Sequence, residues 1–124
     1  MNNALNWFEI PATDIKRAKK FYDTVLQTEL KEENMDGCQL AIFPHDQANG
    51  VGGSLAAGRE CVPSTEGQVV YLNMDKDIDG PLSRVESAGG KIAMNKTFLS
   101  DEIGYIAMII DSEGNRVGLH SHAR

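Results

Sequence analysis

Two cysteines, one tryptophan and four prolines are all that this 124-residue chain has of those types. Cys38 and Cys61 show neither C-x-x-C spacing nor a histidine framework, which excludes a disulfide scaffold and a zinc finger and predicts a reducing, cytoplasmic setting. Long apolar runs are missing as well. The longest aliphatic stretch, Ile106–Ile110, is far short of the ~20 residues that span a bilayer. Met1-Asn2-Asn3-Ala4 lacks a basic segment leading into an apolar one, so no secretory signal is expected. Positive charge is scarce: 12 Lys and Arg stand against 18 Asp and Glu, a net charge of −6. That balance opposes attraction to nucleic acid or anionic lipid, and neither is expected as a partner. The one basic run, Lys16-Arg17 with Lys19-Lys20, lies opposite the apolar stripe of a helix and reads as a solvated face.

What the chain does have is one plan laid out twice. An Asp-Ile pair enters a helix at Asp14-Ile15 and again at Asp77-Ile78, 63 positions apart (77 − 14), close to half the chain. A period of that length indicates two supersecondary modules within a single domain. Two copies of one unit place equivalent side chains on opposite sides of a shared surface, so a cavity is expected between them.

In the first module Asn6–Ile10 is rich in aromatic and β-branched residues and reads as a strand that Pro11 stops. Thr13 or Asp14 caps a helix whose Ile15, Ala18, Phe21, Tyr22, Val25 and Leu26 recur at three and four residues. An edge strand at Glu29–Glu33, a turn at Asp36-Gly37, a strand at Cys38–Phe43 and a glycine-containing strand at Val51–Leu55 follow. Residues 56–67 read as a linker or a flap over the cavity. The second module repeats the order with a strand at Val69–Met74 and a helix capped by Asp77 or Asp79, carrying Ile78, Leu82, Val85 and Ala88 and ending at Gly89-Gly90. Strands at Lys91–Asn95, Tyr105–Ile110 and Asn115–Ser121 complete it. Both modules are β-α-β-β-β, at about residues 4–56 and 68–122 of one 1–124 domain.

Phe8-Glu9-Ile10-Pro11 before Asp14-Ile15-x-x-Ala18-x-x-Phe21-Tyr22, then Tyr71-Leu72-Asn73, Gly89-Gly90-Lys91 and Asp111-x-Glu113-Gly114-Asn115-Arg116, resembles the vicinal oxygen chelate superfamily over essentially the whole chain. That group includes glyoxalase I, fosfomycin-resistance enzymes, extradiol dioxygenases and bleomycin-binding proteins. The resemblance implies an α+β fold in which two β-α-β-β-β modules form an open, barrel-like cleft. It also implies a divalent metal held by His and Glu from the first and last strands of each module. The matching positions here are Trp7, Gly53, Val69 and Gly118, none of which binds a metal through its side chain. Moving each match by one residue offers Asn6 or Phe8, Gly52 or Ser54, Gln68 or Val70, and Val117 or Leu119, and again no metal site. The expectation is therefore no metal cofactor of the usual kind.

If those positions face the cleft, period-two geometry also turns Glu9, Tyr71, Asn73, Arg116 and His120 inward, and Gly53 and Gly118 leave open volume there. Trp7 either stacks on a flat or cationic ligand or closes one end of the barrel as a core aromatic. Glu9 is either a ligand-binding or acid-base carboxylate or the partner of Arg116 or His120. Tyr71 is either a hydrogen-bond donor to a ligand or structural. A displaced metal site from Glu9, His120 and Tyr71 is the atypical alternative. His122, His45 and Asp46 read as surface residues, and Cys61 as a thiol with only Arg59 nearby to activate it.

Two functions compete on these grounds. One is a protein that binds a small neutral or cationic molecule in a metal-free cleft, like the bleomycin-binding branch. The other is a lyase, isomerase or dioxygenase using Glu9 or His120 as acid-base group. A subunit acting on a partner is a third. The resemblance also implies a homodimer, with the cleft inside one chain or shared between two.

Overall fold

The computed structural model describes residues 3–35, 37–58 and 60–122; Asp36 of the expected turn, Arg59, Met1-Asn2 and Ala123-Arg124 lie outside them. Along the chain run β1 (Trp7–Pro11), α1 (Ile15–Leu26), β2 (Lys31–Met35), β3 (Cys38–Ile42) and β4 (Gly52–Ala57). Then follow β5 (Tyr71–Asn73), α2 (Asp79–Arg84), β6 (Lys91–Ser100), β7 (Gly104–Ile110) and β8 (Arg116–Ser121). The fold is α+β. Two four-stranded mixed sheets, ordered β1-β4-β3-β2 and β5-β8-β7-β6, stay separate and do not close into a barrel. In each, the first strand runs parallel to the last and the remaining pairs are antiparallel.

The repeat shows at the level of single hydrogen bonds. The Asp14 carboxylate accepts from the Arg17 N–H at 3.1 Å, and the Asp77 carboxylate from the Gly80 N–H at 3.0 Å. Both satisfy an N–H that the first turn leaves without a helical partner. α1 then follows its apolar stripe for 12 residues. α2 is only six residues long, and Val85 to Ala88 continue as turns rather than helix. Past Arg84 the hydrogen bonds change: the Val85 N–H reaches back only three residues, to the Leu82 carbonyl at 3.3 Å, and the Gly90 N–H returns to the Val85 carbonyl at 2.9 Å, with the Ile110 carbonyl and the Phe21 ring packed where a Gly90 side chain would be.

Among the strands, β1 takes in Pro11 instead of stopping before it, β4 runs on to Ala57, β5 keeps only Tyr71–Asn73 of the expected Val69–Met74, and β2 and β6 differ as well. β2 starts at Lys31 because Leu30 is buried against the core, with its N–H bonded to the Asp23 carboxylate at 2.8 Å. β6 continues to Ser100 instead of ending at Asn95, and its pairing with β7 shifts register three times. Such irregularities break the two-residue alternation by which a strand is read from sequence.

One core serves both modules. Ile10, Ala41 and Leu55 of the first sheet join Leu72, Ile109 and Leu119 of the second around Phe21, Tyr22 and Val25 of α1 and Leu82 of α2. Full burial of such a side chain stabilises by about 1.5–3 kcal/mol. Arg84 of α2 donates from Nε to the Val25 carbonyl at 3.0 Å, tying the helices together at the end of α1.

Candidate ligand-binding site

Each sheet has a side that faces the helices and a side that does not. On β1, Phe8 and Ile10 turn toward the core, whereas Trp7 and Glu9 turn away and are exposed. On β5, Leu72 turns inward and Tyr71 and Asn73 outward. Trp7 and Tyr71 are 42% and 46% exposed, so Trp7 does not close a barrel end. Trp7 instead meets the His45 ring edge-on, at 5.8 Å between centroids.

The glycines do not hold the open volume expected of them. Gly53 lies on the helix side, and the Phe8 ring occupies the place of its missing side chain. Gly53 is therefore not on the face that carries Trp7 and Glu9. Gly118 is covered in the same way by the Tyr71 ring, and Gly52 by the His45 ring. Val69 precedes β5 and is half-buried outside any strand.

The polar candidates are dispersed. Glu9 and Arg116 line one cavity of about 210 Å³ beneath the linker, beside Val62, Ser64, Glu66 and Gln68. Neither side chain has a hydrogen-bond or ion-pair partner among the described residues. His120 is four residues along β8 from Arg116, about 13 Å at the usual strand rise. Its Nε2 lies 2.6 Å from the Ile103 carbonyl, which only accepts, so Nε2 carries the proton. The His120 and His122 rings meet edge-on. Among the described residues no three His, Cys, Asp or Glu side chains converge on a point that would hold a metal ion. At the four matched positions the side chains of Trp7, Gly53, Val69 and Gly118 are not metal donors, so those positions do not fit the divalent metal that the resemblance implies, and Glu9 and His120 do not line one cavity. Cys61 is no activated thiol: burial first, then Cys38, Glu9 and Glu60, push it above its usual range.

The larger cavity, about 460 Å³, opens between the modules on the helix side. Phe8, Phe43, Leu26, Leu72, Met74 and Pro81 supply apolar walls. Asn73, Asp75, Asp77, Arg84 and His45 supply polar groups, two carboxylates against one guanidinium. The sequence pointed to Gly53 and Asn73 of this set, placed His45 on the surface, and missed the rest. Asp75 holds a left-handed backbone at φ 52, with its N–H bonded to the Asn73 side-chain oxygen at 2.8 Å and its carbonyl accepting from the Ser121 hydroxyl at 2.5 Å. Left-handed aspartates recur where the chain must turn sharply, and here the turn brings a carboxylate to the cavity. The strand pattern alone carried no signal for it.

The two cavities are counterparts under the repeat. Phe8 and Val70 are 62 positions apart (70 − 8), as are Ile10 and Leu72 (72 − 10). The large cavity takes Phe8 and Leu72, and the small one Val70 and Ile10. They differ in what docks nearby. The Asp111–Asn115 turn fastens onto the β1–α1 junction through Glu113, whose carboxylate accepts from the N–H groups of Thr13 and Asp14 at 2.9 and 3.0 Å. Asn115 Nδ2 also donates to the Pro11 carbonyl at 2.7 Å. The corresponding β3–β4 loop, with Phe43, His45 and Val51, lines the large cavity instead.

Ser54 is fully buried opposite Glu9 on β4, and its hydroxyl has no hydrogen-bond partner among the described residues. Ser54→Ala is expected to be neutral or to stabilise by up to about 1 kcal/mol in urea denaturation, since it removes a desolvated hydroxyl. A loss above that size would show that the hydroxyl is bonded in solution.

With this geometry in view, the comparisons with known proteins concern fold. No family model matches the chain, and no curated protein matches its sequence. Glyoxalase I from Zea mays superposes with a TM-score of 0.68 at 17% identity, over 97% of this chain and 45% of that one. The chain thus spans about half the length of the maize protein. A glyoxalase/bleomycin resistance protein from Albidiferax ferrireducens T118 gives 0.68 at 15% identity, over 96% and 99% of the two chains. TnmS3, an antibiotic binding protein from Streptomyces sp. CB03234, gives 0.64 at 19% identity, over 98% of each chain. The chain has the glyoxalase/bleomycin-resistance fold. At these identities the likeness is one of fold, and function rests on this chain's own residues.

Proposed function

We propose that the chain binds a small neutral or cationic molecule, without a metal, in the cavity between its two modules. The observation that carries this reading is the 460 Å³ space with apolar walls and the Asp75 and Asp77 carboxylates. Its size falls within the ~300–1,000 Å³ of ordinary ligand pockets. Apolar walls take a flat or aliphatic body, and the surplus carboxylate favours a cation over an anion. Glu9 lines the small cavity and His120 does not, so the geometry gives no support to an enzyme that uses the two together. Among the fold neighbours, TnmS3 is a binding protein by name.

The reading extends to a second copy of the chain. Trp7, Tyr71, Phe98, Leu99 and Ile103 are large, apolar and exposed, and a homodimer would cover such groups. The two free thiols suit the cytoplasm.

The planar cation proflavine is the test ligand, with the anion 8-anilinonaphthalene-1-sulfonate as its counterpart. Proflavine should bind the purified protein one per cavity, more tightly than the anion, and unchanged by chelator. Met74→Trp, which fills the cavity from a half-buried position, should weaken binding at least about tenfold with the fold intact by circular dichroism. Unchanged binding in that variant, or loss of binding on chelation, rejects the reading. Native mass spectrometry of the same samples reads the dimer directly, and a single-chain mass at micromolar concentration removes that part.

A further inference from the structure

We propose that the small cavity is a second, separate binding site, for an apolar α-amino acid held by its ammonium on Glu9 and its carboxylate on Arg116. Two opposite charges line one cavity and do not pair. The Glu9 and Arg116 charged atoms are more than 4.0 Å apart, and neither has another partner among the described residues. A carboxylate and a guanidinium that share a space but do not reach each other are completed by a molecule carrying both complementary charges. Charge-assisted hydrogen bonds of this kind are the stronger ones, and guanidinium binds carboxylate with two parallel donors.

The rest of the cavity narrows the ligand class. Val62 and Val70 offer aliphatic contact and no aromatic ring lines the cavity, which suits a small branched side chain. Glu66 adds a second carboxylate, so two acids face one base and a bare carboxylic acid is disfavoured. The volume of 210 Å³ corresponds to about seven water molecules at ~30 Å³ each, which suits a ligand of about eight non-hydrogen atoms, the size of valine.

The site is already shaped without a ligand. The Ser64 N–H donates to the Asn115 side-chain oxygen at 3.1 Å, and the Arg116 N–H donates to the Ser64 carbonyl at 3.3 Å. These two bonds pin the linker over the β8 start and hold Val62 and Ser64 in the cavity wall. A preformed wall lowers the ordering cost that a ligand would otherwise bear.

Isothermal titration calorimetry with L-valine, isobutylamine and isobutyrate separates the two charges. L-Valine should bind at least about tenfold more tightly than either half-ligand. Glu9→Gln should bring valine down to the affinity of isobutyrate, and Arg116→Met down to that of isobutylamine. Both positions are exposed, so both variants should keep the parent thermal midpoint. Both should also keep whatever proflavine affinity the parent shows, because neither residue lines the larger cavity. No heat with L-valine at about 10 mM, equal affinity for the half-ligands, or unchanged valine binding in both variants overturns the proposal. Failure of proflavine binding alone concerns the larger cavity and leaves the valine result decisive for this one.

Discussion

Asp111→Ala is expected to lower stability by about 3–5 kcal/mol, the largest effect of any single substitution considered. Asp111 is 3% exposed, and its carboxylate is fully used. Oδ1 accepts from the backbone N–H groups of Glu113 and Asn115, both at 2.9 Å. Oδ2 accepts from the Tyr22 hydroxyl at 2.7 Å and from Asn115 Nδ2 at 3.0 Å. Tyr22 belongs to the first module and Asp111 to the second, so one carboxylate joins the halves and shapes the turn that docks on α1. Burial first, then the charge of Asp111 and the hydrogen bond to it, hold the Tyr22 hydroxyl well above its usual range. It therefore stays a donor at all ordinary pH. Alanine would strand that donor and the N–H groups of Glu113 and Asn115, while Asn115 Nδ2 keeps the Pro11 carbonyl; each unpaired group costs about 1–3 kcal/mol, less whatever water recovers. Tyr22→Phe removes one bond only and should cost less. A double-mutant cycle in urea should show the two effects to be strongly non-additive. A loss under about 1 kcal/mol for Asp111→Ala would mean that the buried network does not hold the modules together.

The second large effect depends on pH. The Glu113 side chain is fully covered, and its carboxylate accepts from the Thr13 and Asp14 N–H groups, the Thr13 hydroxyl and the Arg17 guanidinium. Burial alone would raise its pKa. The Arg17 bond and the backbone donors outweigh burial and bring it down from 4.5 to about 2. Because the folded pKa lies below the unfolded one, the stabilisation is fully present above pH 4.5. It is lost as pH falls through about 2. A shift of that size corresponds to about 3 kcal/mol, and screening at the half-exposed Arg17 reduces it to about 2. Glu113→Gln should therefore lower the urea midpoint clearly at pH 7 and progressively less below pH 4.5. Parent and variant should converge near pH 2. A difference that stays constant from pH 7 to pH 2.5 would show that charge is not what Glu113 contributes.

Much of this molecule is written locally. The caps at Asp14 and Asp77 are bonds to residues three positions on, and the α1 stripe is a matter of three- and four-residue spacing. Both are complete within a few residues of sequence. β6 was legible only to Asn95 because its bulges break the alternation that identifies a strand. α2 read longer than it is because its apolar spacing continues to Ala88. The Phe21 ring that packs on Gly90 beyond its end comes from another module.

The site was legible in part for the same reason. Alternation correctly grouped Trp7 with Glu9, and Tyr71 with Asn73, on one side of their strands. It gave no account of what lies above a glycine, and Gly53 and Gly118 turned out to be covered by Phe8 and Tyr71. The sequence by itself determined two capped modules, their order of elements, and the lack of metal-binding side chains at four matched positions, since those properties reside in neighbouring residues or in residue identity. Only the tertiary structure decided where space remains. A cavity is set by what fails to fill it, and here that depends on one turn docking through Asp111, Glu113 and Asn115 while its counterpart around His45 stays back from α2.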